Sequence, residues 1–438
     1  MNVIQGLAWY FPDSIGGTEI YVSGLVRELS AYGVESSIAA AAHGMQSRDY
    51  VQDGVAVHRY PFAGDVDLAA ARGERPHQDF GAFVAWLERQ PRGIYHQHSW
   101  TTSCGLHHIG AAKSLGFKTV LTVHVPANIC LRGTMMEFGS APCDGLVDAT
   151  RCAACWSHGR GLSRTAAWAL GRVPHILSRA AYRSGVEYPF LTALGARELA
   201  AARRQQIVAM AGVTDRVVAV CDWLAAALRR NGVIDEKLVV SRQGVDRSFA
   251  GQTAERRKND KFRLGFLGRC DPVKGLPVLL EAMSRLPREL PLELIIHAVA
   301  NSEQDRRHRD SLTAKTAADP RIKFLPPVAH TELPAVMAEL DMLAVPSQWL
   351  ETGPLVVLEA QACGVPVLGS NLGGIAELVS PDIDGQLIAF SDPAAWADAI
   401  RTAVAGKFSS VGKARTSRSV RTMADAARDM AALYAGLA

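Results

Sequence analysis

The feature that most constrains the fold is an alternation of short apolar runs with helix-patterned segments, which occurs twice along the 438-residue chain. The first apolar run, at 3–9, is followed by a glycine turn and by apolar positions at helical spacing over 19–32. This alternation predicts βα units and a parallel sheet covered by helices on both faces. Because 438 residues are too many for one core, we predict two doubly wound, Rossmann-like α/β domains facing a cleft.

The apolar runs also set the predicted domain organisation. Further strands are predicted at 37–41, 55–60, 94–98, 118–124 and 216–220, and then at 263–267, 292–298, 322–324, 341–345 and 366–369. A polar, charge-rich stretch at 246–261 separates the two groups and predicts a linker. The predicted domains are therefore 1–245 and 262–415, with a C-terminal segment at 416–438.

Composition narrows the classes of function. The formal net charge of +4 is too small to indicate nucleic-acid binding by itself. The N-terminus has no basic region before an apolar run, and no stretch of eighteen apolar residues appears, so neither a secretory signal nor a transmembrane helix is predicted. We therefore expect a cytoplasmic protein whose eight cysteines are reduced.

Two glutamates in the second half give the strongest indication of function. Glu351 and Glu359 stand eight positions apart across a turn that contains Gly353 and Pro354. We predict a helix over 352–363, whose first free N–H groups, starting at Leu355, would bind a diphosphate between the two carboxylates. The alternative is a buried crossover helix whose glutamates are merely solvated.

Two cations follow the first strand of the second domain. Arg269 and Lys274 lie on the predicted loop GRCDPVKG, where an arginine can bind a diphosphate through two hydrogen bonds and a lysine can act as a point charge. The alternative is a pair of ordinary solvated surface cations.

Half of the chain's cysteines fall within a predicted insertion near 126–160. The C-x-x-C pair is typical of a tetrahedral zinc site, and two cysteines upstream would complete four structural-zinc ligands: Cys130, Cys143, Cys152 and Cys155. Free buried thiols or a redox pair remain alternatives, because the spacing is not that of a zinc ribbon.

A basic helical segment follows near 160–204, with eight arginines among alanine, leucine, tryptophan and tyrosine. Such a segment is able to lie on anionic lipid as a peripheral membrane contact. The alternative is a solvated basic helix face.

Several motifs together resemble retaining glycosyltransferases of family 4, which have the GT-B fold. They are GRCDPVKG, the run PSQWLETGPLVVLEAQACGVPVLGS and the GGIAELV that follows, and in the first half the glycine loop with Gly16, Gly17 and Glu19. His98 in YHQHSW and His124 in LTVHV resemble the two strand-end histidines of that family, and the C-terminal RTMADAARDMAALYAGL resembles its helix that crosses back to the first domain. The resemblance covers both halves of the chain.

The resemblance implies a nucleoside-diphosphate sugar donor of UDP or GDP type, bound by the second domain, and an acceptor bound by the first. Arg269 and Lys274 would neutralise the diphosphate without a divalent metal, Glu359 would bind the ribose, and Glu351 would contact the sugar. Gly16 and Gly17 would face the donor phosphates. His124 would lie near the anomeric centre, with Glu19 and His98 at the sugar or acceptor.

The implied activity is transfer of the sugar, with retention of configuration, to a glycan, lipid-linked or small-molecule acceptor, in cell-surface polysaccharide or glycoconjugate synthesis at the inner face of the membrane. One departure concerns Val125, because related members with a cysteine-bearing loop usually have an aspartate after the histidine. The alternatives are a GT-B sugar-nucleotide epimerase, which consumes no acceptor, and a non-catalytic, zinc-bearing nucleotide sensor.

Overall fold

The structure is a computed structural model that describes residues 1–64, 66–186, 188–249, 261–407 and 420–437. Of the predicted linker, residues 250–260 lie outside the described residues, and so do 416–419 of the predicted C-terminal segment. The described chain forms two compact units, namely unit 1 (Met1–Arg242 with Ala424–Ala438) and unit 2 (Gln243–Met423).

Strands and helices alternate along most of the chain. The strands are β1 (Asn2–Leu7), β2 (Glu35–His43), β3 (Arg48–Gln52), β4 (Val55–Phe62), β5 (Ile94–Gln97), β6 (Lys118–Val123), β7 (Met136–Glu137), β8 (Ala141–Pro142), β9 (Arg216–Ala219), β10 (Leu238–Val240), β11 (Phe262–Arg269), β12 (Leu292–Val299), β13 (Ile322–Leu325), β14 (Met342–Val345), β15 (Val367–Ser370) and β16 (Gly385–Ile388).

The helices connect these strands. They are α1 (Gly17–Leu29), α2 (Leu68–Ala71), α3 (Phe80–Glu88), α4 (Leu106–Ser114), α5 (Ala149–His158), α6 (Arg164–Gly171), α7 (His175–Arg183), α8 (Pro189–Leu194), α9 (Ala196–Val213), α10 (Asp222–Arg230), α11 (Leu276–Ser284), α12 (Glu303–Thr316), α13 (Leu333–Ala338), α14 (Leu355–Ala362), α15 (Gly373–Leu378), α16 (Pro393–Val404) and α17 (Met423–Ala435).

Unit 1 is built on an eight-stranded sheet in the order β10-β9-β6-β5-β1-β2-β4-β3. Seven strands are parallel, and β3 pairs antiparallel with β4 at one edge. The strand order changes direction at β1, which lies between β2 and β5. In open α/β sheets such a point leaves a crevice beyond the carboxyl ends of the strands.

Unit 2 contains a parallel six-stranded sheet in the order β13-β12-β11-β14-β15-β16. Successive residues of β14 belong to different hydrophobic clusters: Met342 and Ala344 pack with α11 and α16, whereas Leu343 and Val345 pack with α13 and α14. Both faces of this sheet are therefore covered, as the unbroken apolar runs predict.

The first and last segments of unit 2 lie side by side. Val245 and Thr422 form an isolated parallel bridge, in which the Val245 N–H donates to the carbonyl of Arg421 and the Met423 N–H donates to the carbonyl of Val245. After Met423 the chain continues as α17, which returns to unit 1.

Candidate active site

Two histidines stand directly after neighbouring strands of unit 1. His98 follows β5 and His124 follows β6, and the parallel register of these strands brings both side chains to the same sheet edge. Nδ1 of His98 lies 3.1 Å from Nε2 of His124. Because His98 is 2% exposed and His124 5%, the pair is buried in unit 1.

A third histidine extends the pair into a network. The ring centroid of His96 lies 4.0 Å from that of His98, and its Nε2 is 2.7 Å from the hydroxyl of Thr122. Nδ1 of His96 is 2.5 Å from the hydroxyl of Tyr434 on α17. No sequence motif pointed to His96, although a residue two positions before His98 must point to the same face of the sheet.

Burial keeps these imidazoles neutral. Desolvation lowers the pKa of His124 to about 3, and desolvation with the neighbouring imidazoles lowers the pKa values of His96 and His98 well below the usual 6.5. The amide oxygen of Gln5, as placed, lies 2.8 Å from Nε2 of His98, so that this nitrogen carries the proton. Nδ1 of His98 then accepts from His124 Nε2–H, which leaves Nδ1 of His124 as a hydrogen-bond acceptor.

The predicted glycine loop lies next to this network. Gly16 is the N-cap of α1, and Gly17 is its first residue. The carboxylate of Glu19 in the first turn accepts a 2.7 Å hydrogen bond from the hydroxyl of Ser14, which fixes the loop against the helix. Tyr21, two residues further along α1, packs edge-on against His124 with ring centroids 5.2 Å apart. The start of α1 is thereby positioned beside the histidine.

In unit 2 an ion pair joins two of the predicted site residues. Nζ of Lys274 lies 2.7 Å from the carboxylate of Glu351, which also accepts a 2.8 Å hydrogen bond from the hydroxyl of Ser347. Glu351 is 5% exposed, whereas the Lys274 side chain keeps 21% of its accessible surface. A cation and an anion therefore stand together at the carboxyl edge of this sheet.

The backbone around Lys274 places its ammonium group. Asp271 caps a single 3-10 turn at Pro272–Lys274 by accepting from the Val273 N–H. Gly275 ends the turn at φ +77°, and a Cβ there would overlap the carbonyl oxygen of Pro346. A glycine is therefore required at this close approach of β11's loop to the segment after β14.

The helix predicted over 352–363 begins later than expected. The structure has α14 from Leu355 to Ala362, with Pro354 as its N-cap and Gly353 at φ +153°. That glycine conformation interrupts a helix, so Glu351 lies on irregular backbone before the helix and not at its mouth. As at any helix N-terminus, the first N–H groups of α14 have no acceptor within the helix.

A second glycine pair packs on the Glu351 segment. The N–H of Gly374 donates to the carbonyl of Glu351 at 2.6 Å, and a Cβ on Gly374 would lie 2.8 Å from that oxygen. The glycines that open α15 therefore allow its first turn to contact the backbone beside Glu351.

Glu359 has a different partner from Glu351. Its carboxylate lies 2.9 Å from Nε2 of His330, and the carboxylate is 8% exposed while the imidazole is 27% exposed. The ring of Phe249 packs against His330 with centroids 5.3 Å apart. No sequence motif pointed to His330, because 29 residues separate it from Glu359 and only the fold brings them together.

Arg269 is the last residue of β11 and not a loop residue as predicted. Its side chain is 52% exposed, and its guanidinium lies 3.7 Å from the carboxylate of Asp271. This exposed, weakly paired cation stands at the same strand end as the turn that carries Lys274.

The four insertion cysteines do not form the predicted tetrahedral zinc set. All four are free thiols, and among the described residues no group of three or more His, Cys, Asp or Glu side chains is arranged to hold a metal ion. Three of the thiols have other neighbours: Cys155 accepts a 3.1 Å bond from the Phe138 N–H, Cys152 lies 3.9 Å from the Leu146 carbonyl, and Cys143 lies 3.8 Å from Asp144. Burial raises the pKa of Cys152 to about 12, so that this thiol is protonated at neutral pH.

Known structures share this architecture over the whole chain. Sucrose-phosphate synthase from Thermosynechococcus elongatus matches with a TM-score of 0.66 at 18% identity, covering 100% of this chain and 99% of that one. Anabaena HepE, solved in complex with UDP, matches with a TM-score of 0.60 at 15% identity, covering 100% and 97%. Two parallel-sheet α/β units of this kind define the GT-B fold of glycosyltransferases.

Family models assign the chain more closely. The model described as Glycosyltransferase Family 4 matches residues 15–249, and the model described as Glycosyl transferases group 1 matches residues 251–418. Since the first match alone covers more than half of the chain, the protein belongs to glycosyltransferase family 4.

Curated relatives match over a shorter stretch. D-inositol 3-phosphate glycosyltransferase of Salinispora arenicola is 36% identical over 162 residues, which is 35% of this chain and 36% of the relative. The enzyme of the same name from Mycobacterium tuberculosis is 35% identical over 144 residues, or 32% and 29% of the two chains. The chain thus spans about a third of the length of the curated relatives it matches.

The described residues contain no helix that is both long enough and apolar enough to span a lipid bilayer.

Proposed function

We propose that this glycosyltransferase moves a sugar from a nucleoside-diphosphate sugar to a glycan, lipid-linked or small-molecule acceptor, with retention of configuration and without a divalent metal, in cell-surface polysaccharide or glycoconjugate synthesis. The observation that carries the proposal is the pair formed by Lys274 and Glu351 at 2.7 Å. An ammonium group held by Glu351, on the segment that leads into α14, supplies the positive charge that a departing diphosphate requires. We propose the same role for Arg269.

In the proposed reaction, the acceptor hydroxyl bonds to the anomeric carbon while the bond from that carbon to the diphosphate oxygen breaks. The hydroxyl proton passes to the departing phosphate. Lys274 and Arg269 stabilise the negative charge that develops on the leaving group, and no side chain acts as a covalent nucleophile. We infer that the acidic site residue Glu351 contacts the sugar hydroxyls from the position that Ser347 and Lys274 give it.

We propose a hydrogen-bonding role for His124 and not an acid role. With a pKa lowered to about 3 by burial, its imidazole is neutral at physiological pH. Its unprotonated Nδ1 would accept a hydrogen bond from a sugar hydroxyl and raise the electron density on that oxygen as positive charge develops at the anomeric carbon. We propose that Gly16 and Gly17 let donor phosphates approach α1, and that Glu19 and His98 serve the sugar or acceptor.

We propose that Glu359 binds the ribose of the donor. Its buried carboxylate accepts hydrogen bonds, and His330 at 2.9 Å fixes its orientation. Charge-assisted hydrogen bonds are worth about 1.5–3 kcal/mol each, so Glu359→Gln should weaken nucleotide binding by roughly 10- to 150-fold. Inorganic pyrophosphate has no ribose and should bind wild type and variant alike.

Titration calorimetry with UDP, GDP, ADP and pyrophosphate tests the site. The matched control is Glu339→Gln, because Glu339 lies in the same unit but is 59% exposed and paired with Arg263. The donor site is supported if the wild type prefers one nucleotide, if Glu359→Gln binds that nucleotide more weakly, and if the control binds it like wild type. The absence of binding by every nucleotide contradicts it.

The reaction type is tested separately, by following the preferred sugar nucleotide by NMR with and without acceptor sugars. A new glycosidic linkage with the anomeric configuration of the donor supports the proposed transfer. A change of sugar stereochemistry without acceptor would indicate an epimerase, and tight binding without turnover would indicate a nucleotide sensor.

A further inference from the structure

Residues 149–194, which form α5, α6, α7 and α8, concentrate the positive charge of the protein. We call them the arginine-rich segment. It contains six arginines and one acidic residue, Glu187, with no lysine or aspartate, which gives a formal charge of +5. Since the whole chain has a net charge of +4, the rest of the protein is close to neutral and the segment carries the excess.

The same segment exposes large apolar side chains. In the described chain, ten large apolar side chains are more than 50% exposed. Five of them lie in one stretch of this segment, at 176–190: Ile176 (80%), Leu177 (59%), Val186 (52%), Tyr188 (64%) and Phe190 (62%). Single exposed apolar residues are ordinary, but a cluster of five indicates a contact surface. Two of the five are aromatic, the type enriched where an apolar phase meets water.

An apolar pocket of about 800 Å³ opens in this segment, between α5, α6 and α8. Its wall includes Trp156, Leu162, Leu170, Val173 and the half-exposed Phe190. This volume lies within the range of pockets that enclose a small organic ligand, and the mostly aliphatic and aromatic wall suits a hydrocarbon. None of the residues that line the pocket belongs to the histidine network or to the Lys274–Glu351 pair.

Three arginines are held over aromatic rings beside this pocket. Arg160, which lines the pocket, lies 3.5 Å above the ring of Trp156, Arg172 lies 5.0 Å from that of Trp168, and Arg164 lies 4.6 Å from that of Phe138. In the described part of the chain none of the three forms an ion pair with a carboxylate, whereas Arg151 and Arg179 do. Stacking on a ring orients a guanidinium and leaves its N–H donors available to an anion.

We propose that the arginine-rich segment binds the surface of an anionic lipid bilayer. The apolar side chains at 176–190 enter the acyl layer, one hydrocarbon chain occupies the pocket, and the stacked arginines contact lipid phosphates. An acidic protein partner would satisfy the arginines but would leave the hydrocarbon-shaped pocket without a function. A lipid supplies a phosphate and a hydrocarbon chain in one molecule.

The test is sedimentation of the full chain with vesicles of phosphatidylcholine alone or mixed with phosphatidylglycerol, in the absence of any nucleotide sugar. We expect partition onto the mixed vesicles, which falls as salt is raised because headgroup attraction is screened. The double substitution Ile176→Ser with Phe190→Ser should weaken partition at least tenfold, which is about 1.4 kcal/mol. Arg160→Gln with Arg172→Gln should do the same.

The matched control is Val51→Ser with Ile234→Ser, which removes apolar side chains that are 69% and 54% exposed elsewhere in unit 1. It should partition like wild type, and circular dichroism should show that every variant is folded. Failure of wild type to bind mixed vesicles, or unchanged binding in either test variant, overturns the proposal. Self-association that Ile176→Ser abolishes, without vesicle binding, would assign the surface to a second copy. Since no donor is present, a result on lipid is independent of whether glycosyl transfer occurs.

Discussion

The ion pair of Lys274 with Glu351 predicts opposite effects of two substitutions on nucleotide affinity. In the unliganded protein the Lys274 ammonium already has a partner at 2.7 Å. To reach a diphosphate it must share or leave that partner, and the Glu351 carboxylate repels the ligand. Lys274→Ala should therefore weaken UDP binding, whereas Glu351→Gln, which keeps shape and an acceptor for Ser347, should strengthen it.

The magnitudes follow from the geometry. Loss of one charge-assisted hydrogen bond in Lys274→Ala costs about 1.5–3 kcal/mol, or roughly 10- to 150-fold in affinity. Two unit charges about 4 Å apart interact by about 4 kcal/mol at an effective dielectric constant of about 20. Because the Lys274 side chain is 21% exposed, solvent screens part of this energy. We therefore expect Glu351→Gln to improve the free energy of UDP binding by about 1–2 kcal/mol, which is a gain in affinity of roughly 5- to 30-fold.

Calorimetry with UDP measures both affinities, and enzyme turnover is measured in parallel. Turnover should fall in both variants, since Glu351 is proposed to contact the sugar. The control is Glu293→Gln, which breaks a lysine pair of similar length, 2.8 Å to Lys323, at the opposite end of the sheet. If Glu351→Gln weakens UDP binding as Lys274→Ala does, the Glu351 carboxylate does not compete with the diphosphate for Lys274, and the reasoning is refuted.

Two further predictions concern stability. Burial lowers the pKa values of His96, His98 and His124 in the folded protein. Below a pH of about 6.5, the unfolded chain therefore binds protons at these histidines that the folded chain does not bind. The free energy of unfolding should consequently fall as the pH falls, by up to about 1.4 kcal/mol per pH unit for each histidine. Thermal melting from pH 7 to pH 5 should show a smaller acid-induced decrease in His124→Asn than in the exposed-site control His43→Asn, and equal decreases would contradict the assignment. Gly275→Ala should destabilise unit 2 by about 2–4 kcal/mol, because alanine is strained at φ +77° and its Cβ meets Pro346. Gly268→Ala, where a Cβ meets nothing within 4 Å, should melt close to wild type.

Alternating apolar runs predicted the doubly wound fold because buried parallel strands need unbroken apolar sequence. The pattern missed five short strands of the described chain. Arg48–Gln52 is a largely exposed antiparallel edge strand, and Leu238–Val240 and Gly385–Ile388 are short strands at other sheet edges. Met136–Glu137 and Ala141–Pro142 form a separate two-stranded sheet. An edge strand has fewer neighbours to cover it, so its sequence carries a weaker hydrophobic signal.

The site residues were predictable where a local motif carries them. The family resemblance singled out His98 and His124, and the structure brings their side chains together because each follows a strand and parallel strands end at one edge. Two other contacts could not be predicted from local sequence. Tyr434 contacts His96 from 338 residues away, and His330 contacts Glu359 from 29 residues away. The cysteine prediction failed for a related reason, because spacing along the chain does not determine where four sulfur atoms point.

The discontinuity of unit 1 sets an order of events during synthesis. His96 is fully buried, and its hydroxyl partner Tyr434 is translated only after the whole of unit 2. At about 5–20 residues per second, the ribosome needs on the order of 10–40 s to proceed from Arg242 to Tyr434. The whole of unit 2 is therefore synthesised before unit 1 is complete, and His96 waits for its hydroxyl partner until the helix that carries Tyr434 has been made.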